Sequence, residues 1–165
     1  MKKIHFSDKY LKKKDIINVD LNTKTSLKKN NYNFVLLFNV LEHLINIENA
    51  RNEIKKTLKK NGKLIGSTPF LYRFHEAPSD YLRFTKPYMI NLLKKDFKIV
   101  EVKNLGFGPF CLCYSFLFDF TKKIPFLNLF IFSITFVLDY VLNFFVKYNL
   151  KDIYPVALFF VVKKK

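Results

Sequence analysis

The segment STPFLYRFHEAPSDYLRFT, residues 67–85, gathers side chains that can transfer protons and bind a polar ligand. It contains a histidine, two carboxylates, two arginines and two tyrosines, whereas the basic residues elsewhere in the chain are almost all lysines. An imidazole exchanges protons near neutral pH, and a neighbouring carboxylate tunes that exchange. Arginine and tyrosine orient anionic or hydroxyl-bearing ligands through directed hydrogen bonds.

Five strand-like runs surround this segment, at 15–22, 33–40, 63–69, 97–105 and 154–163. The second and third are continuous apolar runs of strand length, which is typical of strands buried on both faces of a parallel sheet. The fourth alternates apolar and polar residues, like a strand that faces water on one side. Helical patterns separate the second, third and fourth runs, so the sequence predicts an α/β fold with an open sheet.

Two helices are predicted between these strands. The first has apolar residues at helical spacing from Ile47 to Leu58, and we expect it to stop at Asn61–Gly62, where a left-handed conformation is favourable. The second begins after Thr85, a favourable N-cap residue, and Pro87 lies in its first turn.

Ligands of open parallel sheets bind beyond the carboxyl ends of the strands. If 33–40 and 63–69 are neighbouring strands, the residues around His43 and those of the 69–83 loop line one crevice. Purely structural roles remain open at both places. His43 can brace the start of the following helix, and Arg83 can pair with a loop carboxylate to hold an ordinary surface loop.

Four regions are predicted along the chain. Residues 1–14 form a basic N-terminal arm without the apolar core of a secretory signal. Residues 15–106 form the α/β core, 107–150 a hydrophobic helical insertion, and 151–165 a closing strand with a basic tail.

The insertion has three open interpretations: a helix in the membrane interface, a membrane-spanning helix, or a helix buried in protein. Phe, Leu, Ile and Val dominate residues 107–148. A narrow polar stripe runs along the second part of the segment at helical spacing, which favours a helix that lies in an interface or packs on protein over a lone span. The stripe consists of Asn128, Thr135, Asp139, Asn143 and Lys147.

Composition argues against several classes of function. The net charge of +16 comes from lysine rather than arginine, a pattern typical of an AT-rich genome, so we expect no nucleic-acid partner. Cys111 and Cys113 suit core packing in a reducing cytoplasm. His5, His43 and His75 show no metal-ligand spacing, so no metal site is predicted.

A family resemblance follows from several motifs in order. The strings NFV, NVLEHL, TLKKNGKLI and STPF resemble, at matching spacing, the second half of the class I S-adenosylmethionine-dependent methyltransferases, of the methyltransferase type 11 kind. The string PFLYRFHEAPSDYLRFT resembles the loop of a subset of those enzymes. The resemblance implies a partial Rossmann-like methyltransferase sheet with a hydrophobic helical insertion before the last strand.

The resemblance also implies roles for individual residues, with S-adenosylmethionine as cofactor. His75 would be the catalytic base in methyl transfer to an O, N or C nucleophile. The cofactor would be bound by Asp20 and Leu21 at the adenine and by Asn39, Glu42 and His43 at the amino-acid side. The acceptor would be bound by Tyr72, Asp80, Tyr81 and Arg83.

One departure from the family is large. The resemblance begins near residue 15, so the family's first strand with its glycine-rich loop, and its second strand with a ribose-binding acid, have no expected counterpart. We therefore expect a truncated or split enzyme, a fragment that pairs with a complementing N-terminal chain, or a degenerate relative, and we do not expect a methyltransferase that is competent alone. The acceptor would be a small or a lipid- or sugar-linked molecule, and the location cytoplasmic. The apolar insertion suggests a lipid-linked or membrane-proximal acceptor, with the protein at the inner face of the membrane. The alternative is a non-enzymatic, membrane-associated interaction protein.

Overall fold

The computed structural model describes residues 6–8, 16–76 and 79–165. The strands are β1 (Phe6–Asp8), β2 (Ile16–Asn18), β3 (Tyr32–Phe38), β4 (Leu58–Pro69), β5 (Phe97–Leu105) and β6 (Ala157–Lys164). The helices are α1 (Ile47–Thr57), α2 (Lys86–Lys94), α3 (Pro109–Thr121), α4 (Pro125–Phe145) and α5 (Leu150–Ile153), and a 3-10 turn spans Leu41–His43.

The strands form two sheets. A four-stranded sheet has the order β3-β4-β6-β5, and a separate pair joins β1 to β2 in parallel. β3 and β4 are parallel, whereas β6 is antiparallel to both β4 and β5. The mixed α/β architecture with an insertion before the last strand confirms the predicted fold class. β1 lies inside the segment predicted as a basic arm, and the rest of residues 1–14 lies outside the described residues.

The four-stranded sheet has one covered face. The alternating burial of β6 shows this directly, because Leu158, Phe160 and Val162 are buried while the residues between them are half-buried. Side chains of α1 and α2 join these residues in one core, among them Ile54 and Met89. Helices over a sheet bury apolar surface that strands alone leave in water.

The opposite face of the sheet is apolar at β3. Phe34, Leu36 and Phe38 are 56%, 62% and 51% exposed. Their partners in the β4 register are Lys63, Ile65 and Ser67, so the apolar surface continues only in part onto the next strand. β3 pairs with β4 alone among the described strands, which leaves its other edge open.

Both predicted helices form, with one difference at an end. Asn46 caps α1 by accepting a hydrogen bond from the Asn49 amide, and Thr85 caps α2 as expected. α1 ends at Thr57 and not at Asn61, because Leu58 already turns extended and begins β4. Asn61 does adopt a positive φ of 65°, but within the irregular start of β4.

The insertion forms a pair of antiparallel helices, α3 and α4. The polar stripe of α4 faces α3 over three of its five residues. Asp139 is buried and accepts the backbone N–H groups of Phe110 and Cys111 at 3.0 and 2.8 Å, which caps the start of α3. Asn128 accepts the hydroxyl of Thr121 at 2.8 Å. The remaining surface of α4 is exposed and largely apolar.

One helix among the described residues, α4, is long and apolar enough to cross a membrane by length and composition. This single helix is weak evidence of membrane insertion. Within this chain α4 is largely exposed, since Asp139 is its only buried residue.

Glu53 ties the segment before β3 to α1. It accepts hydrogen bonds from the Thr25 amide at 3.0 Å, the Thr25 hydroxyl at 2.6 Å and the Lys56 ammonium at 2.7 Å. Burial alone would raise the pKa of Glu53, but the hydrogen bonds from Lys56 and Thr25 outweigh it and lower the pKa to about 2. The ionised carboxylate is therefore the form that stabilises the fold.

We predict that Glu53→Gln lowers the free energy of unfolding at neutral pH by ~1–3 kcal/mol, because charge-assisted hydrogen bonds to a buried group are lost. The pKa of Glu53 is lower in the folded state than the ordinary value of 4.5, so its contribution is present above pH 4.5 and disappears as pH falls towards 2. Urea unfolding of both proteins across this range measures the effect. Glu101→Gln, at an exposed ion pair with Lys103, is the control and should change little. A Glu53→Gln deficit that stays constant down to pH 2 would contradict the assignment.

Candidate functional site

The candidate site lies where β3, β4 and β5 end. These three strands run in the same direction, so their carboxyl ends share one edge of the sheet. Asn39 directly follows β3 with a positive φ of 51°. Its amide donates to the Ser67 carbonyl at 2.9 Å, and its side-chain oxygen accepts the Ser67 hydroxyl at 3.1 Å. These two hydrogen bonds fix the position of Asn39 relative to the neighbouring parallel strand β4.

Glu42 joins the loop after β3 to the loop after β4. Its backbone carbonyl accepts the amides of Tyr81 and Leu82 at 2.9 and 3.2 Å. Its side chain is fully buried, and Oε2 accepts the Thr68 hydroxyl at 3.4 Å. Oε1 has no hydrogen-bond partner within the described residues. Burial raises the pKa of Glu42, against the lowering influence of its backbone hydrogen bond and of His43 and His75.

Two histidines from the two loops meet beside Glu42. The rings of His43 and His75 are edge-to-face, with centroids 5.1 Å apart. His43 Nδ1 lies 2.6 Å from the Ser79 carbonyl, to which it donates, so His43 bridges the loops in addition to lying at the end of the 3-10 turn. His75 Nδ1 lies 3.2 Å from Asp80 Oδ2. One potential ligand atom from each of Glu42, His43 and His75 lies within 4.8 Å of the other two.

This convergence differs from the sequence expectation of no metal site. Spacing along the chain detects ligand pairs on one helix or one turn, whereas these residues are 32 positions apart and meet only because two strands end side by side. The hydrogen bonds between the two loops bring these residues together, and such bonds cannot be detected from residue spacing in the sequence.

An ion pair between Asp80 and Arg83 stabilises the loop that follows β4, called the second loop below. The two terminal guanidinium nitrogens of Arg83, Nη1 and Nη2, donate to the Asp80 carboxylate, and these hydrogen bonds, more than any other interaction, lower the pKa of Asp80 to about 2. The Asp80 side chain is 1% exposed and also accepts the His75 amide at 3.1 Å. The structural alternative for Arg83, a pair with a loop carboxylate, is therefore present in the fold.

The predicted acceptor residues share one open cavity. It has a volume of about 250 Å³ and is lined by Tyr72, Phe74, Asp80, Tyr81, Leu82 and Arg83. The structure thus brings all four predicted acceptor residues together, next to His75. Their role in binding stays a prediction.

Asp20 and Leu21 lie apart from this cavity. Asp20 accepts the Asn22 amide at 2.9 Å, and Leu21 packs against the core. The Leu21 carbonyl accepts the Asn49 side chain at 2.8 Å. The two residues follow the carboxyl end of β2, and neither belongs to the histidine cluster or lines the cavity. Their adenine-binding role also stays a prediction.

Sequence reasoning missed two features of the site. Arg73 in the second loop forms an ion pair with Asp119 of α3 at 2.7 Å. This ion pair connects the helical insertion to the second loop. A larger cleft of about 370 Å³ lies between the sheet edge and α2, lined by residues that include Phe70, Phe84 and Asn104. Both features involve residues that are far apart in sequence, so no local sequence pattern predicts them.

Comparison with known proteins identifies the fold. Residues 3–66 match the family model described as "Methyltransferase domain". None of the curated proteins matches the chain significantly. The family match begins at residue 3, so the expected start near residue 15 was too late. The match includes β1, whose last residue is Asp8, and a parallel strand before β2 was not expected.

Solved structures agree at the level of the fold. The [4+2]-cyclase SpnF superimposes with a TM-score of 0.55 at 16% identity, over 91% of this chain and 55% of that one. An S-adenosylmethionine-dependent methyltransferase from Mesorhizobium loti has a TM-score of 0.55 at 13% identity, over 90% of this chain and 68% of that one. A phosphoethanolamine N-methyltransferase from Haemonchus contortus, in complex with phosphomonomethylethanolamine and S-adenosylhomocysteine, has a TM-score of 0.55 at 15% identity, over 90% of this chain and 37% of that one.

The resemblance to the class I S-adenosylmethionine-dependent methyltransferases is confirmed, because the chain carries a match to the family's domain and has its fold. The chain spans little more than half the length of the first of these structures. One of the neighbours is a cyclase, so the fold alone does not define the reaction.

We predict that Asp80→Ala loosens the second loop, because it leaves Arg83 unpaired and removes the acceptor of the His75 amide. Loss of these charge-assisted bonds costs ~1–3 kcal/mol locally, so exchange of the residue 75 amide should accelerate at least about fivefold. Hydrogen–deuterium exchange measures this directly. Glu48→Ala, at an exposed carboxylate, is the matched control. Unchanged protection at residue 75 would show that the Asp80–Arg83 pair does not hold the loop.

Proposed function

We propose that this chain forms the acceptor-binding part of an S-adenosylmethionine-dependent methyltransferase that acts on an O, N or C nucleophile. One observation carries the proposal: Tyr72, Asp80, Tyr81 and Arg83 line one cavity beside His75, at the ligand-binding edge of a class I methyltransferase sheet.

The chain's own residues fit part of the cofactor. Asp20 and Asn39 follow the carboxyl ends of parallel strands, where polar groups can meet the adenine and amino-acid sides. The methionine side needs a glycine-rich loop, whose bare backbone approaches the ligand closely. The four glycines of the chain are Gly62, Gly66, Gly106 and Gly108, and they form no such loop. The residues therefore fit the adenine side, the acceptor side and the part of the amino-acid (methionine) side that Asn39 can reach, but not the part that a glycine-rich loop would hold.

The open edge of β3 supports a complementing segment. The Asn39 amide points to β4. Successive residues of a strand direct their backbone N–H and C=O groups to alternate sides, so those of Phe38 and Leu36 point away from β4, to the open edge of β3. Open edges of this kind pair readily with further strands. Burial of an exposed Phe or Leu side chain contributes ~1.5–3 kcal/mol, so covering the β3 face would favour association. We infer that the segment adds a strand at this edge, a helix over the face, and the glycine-rich loop.

The chemistry then divides between cofactor and chain. When bound, S-adenosylmethionine supplies a methyl carbon that bonds to the acceptor's lone pair while the carbon–sulfur bond breaks and its electrons stay on sulfur. His75 takes the proton of an O–H or N–H acceptor. Arg83 and Tyr81 orient the acceptor, and the Asp80 carboxylate fixes the Arg83 guanidinium. Positioning supplies most of the acceleration in such transfers.

We predict that the chain alone binds S-adenosylmethionine weakly and that a polypeptide carrying a strand, a glycine-rich loop and a helix raises the affinity at least about tenfold. Leu36→Lys places a charge on the exposed apolar face of β3, next to the open edge, and should abolish the gain, whereas the matched Val100→Lys on β5 should keep it. Isothermal titration calorimetry measures the binding, and transfer of labelled methyl groups to a lipid extract in the same mixtures tests the reaction. Binding by no mixture would contradict the function, and an equal gain in Leu36→Lys would contradict the β3 edge.

A second feature concerns the acceptor. α3 and α4 expose a nearly continuous apolar surface, with Phe120, Phe126 and Phe145 each at least 80% exposed. Their polar groups face each other, as in helices that pair in an apolar environment. α4 is about 31 Å long, close to the hydrocarbon thickness of a bilayer, but α3 has 13 residues and is too short to cross. We infer that the pair inserts into one leaflet and presents a lipid-linked acceptor to the loop that Arg73 ties to α3.

We predict that the purified chain binds vesicles of phosphatidylcholine with phosphatidylglycerol and that the triple change Phe120→Ser, Phe126→Ser and Phe145→Ser lowers partitioning at least about tenfold, because the apolar anchor is lost. Sedimentation with vesicles measures partitioning. Ile45→Ser, at a 70% exposed side chain before α1, is the control. Full recovery of the unaltered chain in the supernatant would contradict the anchor. Vesicle binding without S-adenosylmethionine binding by any mixture would favour a non-enzymatic membrane protein.

A further inference from the structure

We propose that Glu42, His43 and His75 form a binding site for a divalent transition-metal ion, with Zn²⁺ as the ion that fits best. The three residues offer one carboxylate oxygen and two imidazole nitrogens whose positions lie within 4.8 Å of one another. Two histidines and a glutamate are a common Zn²⁺ ligand set, and three protein ligands leave a fourth position open.

The buried carboxylate is the strongest observation. Glu42 is fully buried, yet Oε1 has no hydrogen-bond partner within the described residues. His43 Nε2 lies 3.7 Å from this oxygen. A buried carboxylate oxygen without a partner is costly, and a cation bound between it and the two imidazoles removes that cost.

The histidines are already oriented as metal ligands usually are. In protein metal sites the second ring nitrogen typically donates to a carbonyl or a carboxylate, which fixes the ring. His43 Nδ1 is held by the Ser79 carbonyl at 2.6 Å, and His75 Nδ1 lies 3.2 Å from the Asp80 carboxylate. Both arrangements leave Nε2 as the coordinating atom. Arg83 in turn holds Asp80, so the support extends one residue further.

The three ligand atoms must move slightly closer together to bind one Zn²⁺ ion. Ligand atoms about 2.0–2.1 Å from a tetrahedral Zn²⁺ lie about 3.3–3.4 Å apart. The Glu42–His43 pair, at 3.7 Å, is already near this separation. His75 lies outside the helices and strands, so its side chain can approach by on the order of 1 Å without breaking the sheet.

Metal binding stands independently of methyl transfer, and only its catalytic consequence rests on the proposed function. With the metal bound, His75 is a ligand and no longer the base. An acceptor hydroxyl at the open position would lose its proton more easily, because the cation stabilises the resulting anion.

The test is a titration of the chain, purified without a histidine tag, with ZnCl₂ followed by isothermal calorimetry. We expect one Zn²⁺ per chain for the unaltered protein and for Cys113→Ser, which removes an exposed thiol that could bind Zn²⁺ on its own. His75→Ala and Glu42→Gln should each weaken binding at least about tenfold, since each removes one ligand. Circular dichroism confirms that the variants are folded, and His75→Ala, in a loop, serves if Glu42→Gln unfolds.

Visible absorption of Co²⁺ in place of Zn²⁺ gives a second readout that a structural role would not move. A four- or five-coordinate spectrum that disappears in His75→Ala supports the site. Absence of stoichiometric binding by the folded unaltered chain, or equal Zn²⁺ affinity in His75→Ala, overturns the proposal. Neither measurement uses S-adenosylmethionine, so failure of the methyltransferase function would leave this result unaffected.

Discussion

The position of β6 between β4 and β5 is the constraint from which the site follows. β6 is antiparallel to both neighbours, so it must begin at the edge where they end. The chain therefore leaves the sheet after Leu105 and returns at Ala157 on the same edge, where the Val156 amide donates to the Leu105 carbonyl at 2.8 Å. Everything inserted between these points, including α3 and α4, is anchored beside the site loops. The amides of Phe70 and Leu71 donate to the same returning segment, which closes the edge.

At this edge the polar interactions are unusually concentrated. Glu42 contributes a backbone carbonyl to the second loop and a buried side chain to the histidine cluster. Asp80 lies in the second loop and orients His75, the histidine of the same loop that lies beside Glu42. Groups in such a network are costly to leave unpaired, so the two loops can form this arrangement only together. The exception is Glu42 Oε1, which has no hydrogen-bond partner in the part of the chain that the structure describes, and an unpaired buried oxygen is unfavourable.

Two apolar surfaces of different kinds remain exposed. The face of β3 belongs to a sheet strand with an open edge, so its natural cover is another strand and helix. In the α3–α4 pair the backbone is helical and three polar side chains of α4 face α3, which is compatible with the lipid cover that we propose for the outward surface. The covers that we propose for the two surfaces differ, and they are compatible in one chain because the surfaces lie on separate elements.

The sequence by itself determined the local elements and the resemblance to the class I methyltransferase fold. Apolar continuity predicted β3 and β4, helical spacing with capping residues predicted α1 and α2, and ordered short motifs indicated the class I fold, because each of these signals depends on neighbours within a few residues. The end of α1 was misplaced, since pairing of Leu58 with Tyr32 outweighed the local preference of Asn61. Only the tertiary structure decided that the stripe of α4 faces α3, that Arg73 reaches Asp119, and that Glu42, His43 and His75 meet. Those contacts depend on which strands are neighbours and on how loops close over them, and neither is encoded in spacing along the chain.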